Sequence, residues 1–380
     1  MKDTIAVVGS GPVGLTAALA AHKLGYKVFL IDKHHRRSSR HIAKPLVISL
    51  ATSVVLKRLG IDMDQALPLK KVRLTVDSAL QSLVCTSDEV SKSALGFLQN
   101  GGALLQELNE AVDACQLIQR VEGAIEDYDG NGVVRSLILK DGQRIDATLV
   151  IAADGKHSVI RQRLGIPWVD LSYQTLAYQL PVTFKRPLFQ AELRLLEIGS
   201  VALIPAVKNI DGHMVWVIRS CQVDSFLAKL KSDGEQVIKA SWSEWLPEIH
   251  QIHWQQARSY ECQRRYVTSL VKSGAVLLGD AAMTWEPLGA QMFNLAVSDI
   301  AALYDDLDHR GDESLLLDYQ EKRLKVHHRL RSELSLLSDL AGHDFGQSLT
   351  LMAMDMPLVK SIWMKRAMGF HTRSSLIKDW

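Results

Sequence analysis

The chain has 380 residues, 47% of them apolar and 23% charged, with a net charge of +2. These values exclude a disordered or fibrous chain, carry no electrostatic footprint for nucleic acid, and leave room for two domains around a large core. The four cysteines (Cys85, Cys115, Cys221 and Cys262) stand far apart with no CxxC pair, so neither a disulfide scaffold nor a metal site is expected. No apolar run is long enough for a spanning helix, and the amino end enters an apolar segment too soon for a signal peptide. A cytoplasmic protein is therefore expected.

The chain opens on its most informative segment. An apolar run, Ile5–Val8, ends in Gly9-Ser10-Gly11-Pro12-Val13-Gly14. A helical pattern follows through Leu24, then Gly25, then a second apolar run, Val28–Ile31, closing on Asp32. Strand, glycine turn, helix, strand and acid make up the context of a dinucleotide-binding unit. Gly9 allows the tight turn, Gly11 lets backbone approach a pyrophosphate, and Gly14 lets helix and strand pack closely. The amides of the first helical turn and the helix dipole favour phosphate. Asp32 sits at the spacing of an acid that binds a ribose hydroxyl.

Lys33–Arg40 is basic and reads as a solvated loop or a phosphate contact. Leu46–Leu59 reads as a strand running into a helix closed by Gly60, and Val72–Val76 with Ser82–Thr86 as paired strands. Ala103–Ala114 has helical spacing. Val133–Leu139, the Asp141-Gly142 turn and Ile145–Ile151 read as a hairpin that delivers Asp154-Gly155. From Trp168 to Tyr266, alternating segments predict an antiparallel sheet, with a helix over Gln222–Leu246. Ala275–Leu278 is a short strand ending in Gly279-Asp280. Helices are predicted over Asn294–Leu307 and from Leu315 to about Leu340. The stripe Tyr319, Val326, Leu330, Leu334 and Leu337 suits a helix covering a core. The first domain is thus discontinuous, with a sheet domain inserted into it.

Three motifs follow predicted strand ends, where α/β sheets bind ligands: Gly9–Gly14 with Asp32; Asp154-Gly155-Lys156-His157-Ser158 with Arg161; and Gly279-Asp280 with Pro287-Leu288-Gly289 and Gln291-Met292-Phe293-Asn294. In this order and in a chain of this length, they resemble the FAD-dependent aromatic hydroxylases of the p-hydroxybenzoate-hydroxylase-like fold, and among these the ubiquinone-biosynthesis hydroxylases. Lys44–Ser49 with Leu56–Gly60, Leu203–Pro205 with Trp216, and Leu316–Arg323 extend the resemblance over residues 1–370.

The resemblance implies an α/β (α+β overall) architecture: a Rossmann-like FAD-binding domain, an inserted, mostly antiparallel β-sheet substrate domain, and C-terminal helices. The expected boundaries are 1–70, 95–165 and 270–310 for the first, 71–94 and 166–269 for the second, and 311–380 for the third. Gly9, Gly11, Gly14 and Asp32, with Lys33 beside it, would hold the ADP half of FAD. Lys44 would lie near its ribose and pyrophosphate, and Asn100 or Gln99 near the linking chain. Asp154 with Gly155 would form the turn associated with FAD and NAD(P)H, and Gly279 with Asp280 would serve the ribityl chain. Pro287, Gly289 and Gln291 would pass close to the isoalloxazine ring. Asn294 would begin a helix whose positive end faces the ring. Implied chemistry is reduction by NAD(P)H, addition of O2 to give a flavin hydroperoxide, and hydroxylation of a small aromatic, polyprenylated in the ubiquinone pathway. No metal is implied.

The third motif departs from the family pattern. Met283 replaces a histidine, Gly289-Ala290 replaces the usual pair before glutamine, and Met292 replaces the glycine after it. A positive φ at Met292 would cost on the order of 1 kcal/mol. Two other readings share these residues: a weakly FAD-binding or non-catalytic subunit of a quinone-biosynthesis complex, and a hydroxylase of another aromatic metabolite. No W-x-W-x-I-P halogenase signature occurs, since Trp242–Pro247 does not match it. His34-His35 and His327-His328 read as solvated surface histidines, and Trp285 as either a packing residue or an active-site wall. The Met-rich, basic tail Leu351–Trp380 reads as a helix on its own core, with peripheral contact to an inner membrane or docking in a partner's groove as the other uses; homo-oligomer formation stays open.

Overall fold

A computed structural model describes residues 4–34, 45–76, 82–188, 190–196, 199–206, 210–219, 223–225, 228, 249–308, 313–339, 354–369, 372 and 374–378. Lys44, Cys221, most of the helix expected over Gln222–Leu246 and much of the tail lie outside the described residues.

The amino-terminal unit forms as its pattern requires. Strand Thr4–Val8 turns into helix Pro12–Lys23 and returns as strand Lys27–Asp32. These strands join a six-stranded sheet in the order 271–272, 275–277, 149–152, 4–8, 27–32, 118–122, parallel except for the first pair. Both faces are buried, as a parallel sheet demands. Ile5, Val7, Val28 and Leu30 pack on one side with Leu15, Leu104, Leu108, Val297 and Ile300 of the helices. Ala6, Val8, Ile31 and Val150 pack on the other with Leu137, Leu139 and Ile145 of a small antiparallel sheet, 125–129, 135–139 and 144–147.

One expected strand divides in two. The apolar run Ile145–Ile151 leaves the hairpin after Ala147 and re-enters the parallel sheet at Leu149. Thr148 marks the change of sheet, its amide and hydroxyl both donating to the Thr4 carbonyl at 2.9 Å. Strand Ile118–Glu122, which the apolar pattern does not announce, closes the far edge.

The inserted sheet runs in the order 283–284, 258–266, 169–184, 211–219, 199–205, 191–196, 71–76, 82–86, with 249–252 also paired to 169–184. Its pairings are antiparallel except that Ala191–Leu196 runs parallel to Lys71–Val76, so two distant chain segments meet in one sheet. A second small sheet, 45–49, 96–100 and 67–69, packs Val47, Leu67, Leu69 and Leu98 with Val72, Ala191 and Ile204 of the inserted sheet. Helices Gln291–Asp308, Glu313–Asp339 and Pro357–Ala367 complete the described fold.

A buried polar cluster ties these helices together. Arg323 donates to Asp299 at 2.6 Å, to Ser298 and to Thr372, and His327 Nε2 lies 2.9 Å from the other Asp299 oxygen. The expectation of a solvated His327 is therefore wrong, whereas His328 is exposed. Adjacent helical residues face different ways, and His327 falls on the inward side with Arg323, Leu330 and Leu334. Met354, Met364 and Met368 pack inward, while Met356, Leu358, Val359 and Ile362 are exposed. Among the described residues, no helix is long and apolar enough to cross a membrane, and no group of three or more His, Cys, Asp or Glu could hold a metal.

Candidate functional site

The three motifs meet at the carboxyl ends of the parallel strands. The Gly9 amide donates to the Ile31 carbonyl at 2.7 Å, that of Ala153 to Val8 at 2.8 Å, and that of Leu278 to Ala152 at 2.9 Å. Gly9 has φ +106°, and a side chain there would be driven into the Ala153 carbonyl; one at Gly14 would be driven into the Gly9 carbonyl. Both glycines are thus required by packing. Gly279 stands against Val13, where an added Cβ would come within 3.2 Å of that side chain. Gly11 has an ordinary extended conformation and starts the helix without a side-chain cap, leaving the amides of Val13 and Gly14 without an intrahelical acceptor.

The acids are placed differently from one another. Asp32 accepts from the Ser10 amide at 2.7 Å and the His34 amide at 3.1 Å, so its carboxylate also braces the glycine turn; Lys33 beside it is exposed. Asp154 accepts from the Val159 amide at 2.8 Å, and its other oxygen has no hydrogen-bond partner. Burial raises the Asp154 carboxyl, with hydrogen bonds from Ser158 and Val159 pulling it down. Asp280 is exposed at the end of strand Ala275–Leu277; desolvation by the surrounding protein raises its carboxyl, against the pull of Lys156.

Asn100 caps helix Gly101–Asp113, accepting from Gly102 and Ala103. Gln99 beside it is buried with its Nε2 unpartnered. Ser10 Oγ is likewise buried and unpartnered. A Cβ-free cradle, uncapped helix amides and the unspent groups of Ser10, Gln99 and Asp154 fit a ligand with phosphates and hydroxyls.

The third motif corrects two expectations. Helix Gln291–Asp308 begins one turn before Asn294, and Met292 lies in its first turn with ordinary helical geometry. The positive φ angles fall on Gly289 (+66°) and Ala290 (+53°). The exchanged pair therefore moves the strain to Ala290, about 1 kcal/mol for a non-glycine residue. Asn294 does not face outward. Its Oδ1 accepts from the Ser49 amide at 2.9 Å, and its Nδ2 donates to Val47 at 3.0 Å and to Ala290 at 3.1 Å. It clamps the loop to strand Pro45–Ser49. Met283 is buried and packs with Trp285, Leu288 and Leu295, so the histidine position has become core.

Beside this loop lies a cavity of about 210 Å³. Pro287, Gly289, Ala290, Gln291 and Asn294 form one wall, and Val72, Leu74, Leu193 and Ile204 of the inserted sheet form the opposite one. Helices Glu313–Asp339 and Pro357–Ala367 roof it with Leu330, Leu334, Leu337, Trp363 and Met364. Cys85 also lines it, its thiol pushed up to about 11 mainly by burial. The roof was not legible in the sequence, where its stripe looked like any core-facing helix. An ion pair between Arg366 and Glu333, 2.8 Å apart, joins the two roof helices.

Residues 2–333 match the FAD binding domain family model, and the chain belongs to that family. It is an FAD-dependent enzyme of the monooxygenase class. It is similar to 3-demethoxyubiquinol 3-hydroxylase of Escherichia coli, 27% identical with 96% of this chain and 98% of that protein covered. It is 25% identical to ubiquinone hydroxylase UbiL of Rhodospirillum rubrum, covering 84% and 77% of the two chains. The crystal structure of p-nitrophenol 4-monooxygenase PnpA from Pseudomonas putida shares the fold, with a TM-score of 0.76 at 16% identity over 96% of this chain and 98% of that one.

Proposed function

We propose that the protein hydroxylates an aromatic ring, a phenolic intermediate of quinone biosynthesis, using FAD, NAD(P)H and O2. The observation that carries this reading is the apolar cavity between the Pro287–Asn294 loop and the inserted sheet. A flavin lying along that loop would have a largely dry chamber against it, as ring hydroxylation needs. Bound FAD supplies the redox and oxygen chemistry.

The chain's own groups would do the rest. Gly9, Gly11 and Gly14 with the helix amides would receive the pyrophosphate, and Asp32 the adenosine ribose, with Lys33 and Lys44 at the flank. Gln99 would offer its unpartnered Nε2 to the linking chain, and Asn100, whose Oδ1 alone is engaged by the helix cap, its Nδ2. Asp154, Gly155, Gly279 and Asp280 would line the central stretch. Pro287, Gly289 and Gln291 would lie along the ring, and the amino end of helix Gln291–Asp308 would stabilise negative charge there. Asn294 would act by holding the loop.

Protein reconstituted with FAD is expected to oxidise NAD(P)H faster with a suitable phenol and to place one atom from ¹⁸O2 in the product. Protein that binds FAD yet yields peroxide alone across a panel of short- and long-chain phenols would refute the assignment.

A further inference from the structure

The loop Glu286–Gln291 bears two successive positive φ angles, at Gly289 and at a strained Ala290. Such a loop needs restraint at both ends to hold one shape. Asn294 restrains its far end. At the near end stands Glu286, 3% exposed, immediately before Pro287. Its carbonyl accepts from the Leu288 amide at 2.7 Å. Its carboxylate is gripped by Arg264, whose Nε lies 2.9 and 2.8 Å from the two oxygens and whose terminal nitrogen also reaches Oε1. Arg264 projects from strand Arg258–Tyr266 of the inserted sheet, bonds Ser338 Oγ near the end of the long helix, and lies 5.0 Å from the Trp285 ring. One guanidinium therefore joins the sheet that walls the cavity, the helix that roofs it and the loop along which the flavin would lie.

A buried ion pair is a poor means of stabilising a fold, because desolvation offsets much of its attraction; an apolar pair of similar volume often does as well. A forked guanidinium on a carboxylate does impose one geometry. We propose that Glu286, held by Arg264, is a positioning residue that sets the flavin loop against the cavity. The inference rests on the hydroxylase reading above.

The test compares wild type with Glu286→Gln and with the apolar double variant Arg264→Met/Glu286→Leu. FAD affinity, thermal midpoint, flavin midpoint potential and product formed per NAD(P)H oxidised are read for each. Both variants are expected to keep FAD, because the ADP-binding half is untouched. Both are expected to shift the flavin potential and to lose hydroxylation by about a hundredfold, the scale of a 1 Å misplacement, with oxidation diverted to peroxide. The double variant is expected to regain the thermal midpoint that the single variant loses, without regaining potential or coupling. Wild-type potential and coupling in the double variant would overturn the proposal and leave the pair a packing feature. Wild type that fails to bind FAD would instead refute the reading beneath it.

Discussion

Gly14 shows how narrowly the first strand–turn–helix is built. Helix and strand approach so closely that its missing Cβ is occupied by the Gly9 carbonyl. Gly14→Ala is expected to cost about 1–3 kcal/mol through overpacking, and to weaken FAD binding about tenfold or more as the turn opens. Flavin titration with thermal melting checks this; unchanged affinity would mean the turn is not the cradle. The sequence displays such residues well, because their demands are met within one strand–turn–helix. It hides others. Met292 looks like the strained substitution, yet Ala290 carries the strain, since the exchanged Gly-Ala pair shifts where the loop turns. Nor does anything local mark Glu286 and Arg264 as partners: they meet only when the inserted sheet packs on the loop.

Among the elements, the long helices depend on the Asp299 cluster. Burial pushes the Asp299 carboxyl up, but His327 and Arg323 outweigh it and hold the group below its ordinary range. A carboxyl held low in the fold contributes stability above its unfolded value of about 3.9, and that contribution is lost as pH falls through the folded value. Stability is therefore expected to decline below about pH 4. Asp299→Asn should flatten that decline and cost about 3–5 kcal/mol at pH 7, because it leaves a buried guanidinium uncompensated. Urea unfolding across a pH series measures both effects; an unaltered slope would contradict the account. The helices themselves were legible from spacing, whereas His327 was misread because its partner lies on another helix. The run Ile145–Ile151 was misread because apolar periodicity does not show a change of sheet at Thr148.

At the scale of the whole molecule, the chamber belongs to no single domain: loop, sheet and roof helices each supply a wall. Leu330→Trp should project into its roughly 210 Å³ and narrow it. FAD binding is expected to persist while phenol-stimulated NAD(P)H oxidation is lost, as absorbance and cofactor-consumption assays would show; stimulation at the wild-type level would place the substrate elsewhere. The sequence made the strand–glycine turn–helix unit plain because its signals are local, and left the roof obscure because Leu74 and Leu334 become neighbours only through tertiary packing. The parallel ladder between Lys71–Val76 and Ala191–Leu196 has a further consequence. During synthesis, the earlier strand leaves the ribosome with one flank unsatisfied and stays so until more than a hundred later residues have been translated. Ribosome-stalled intermediates would carry an open, sticky strand edge, the kind of surface that chaperones cover.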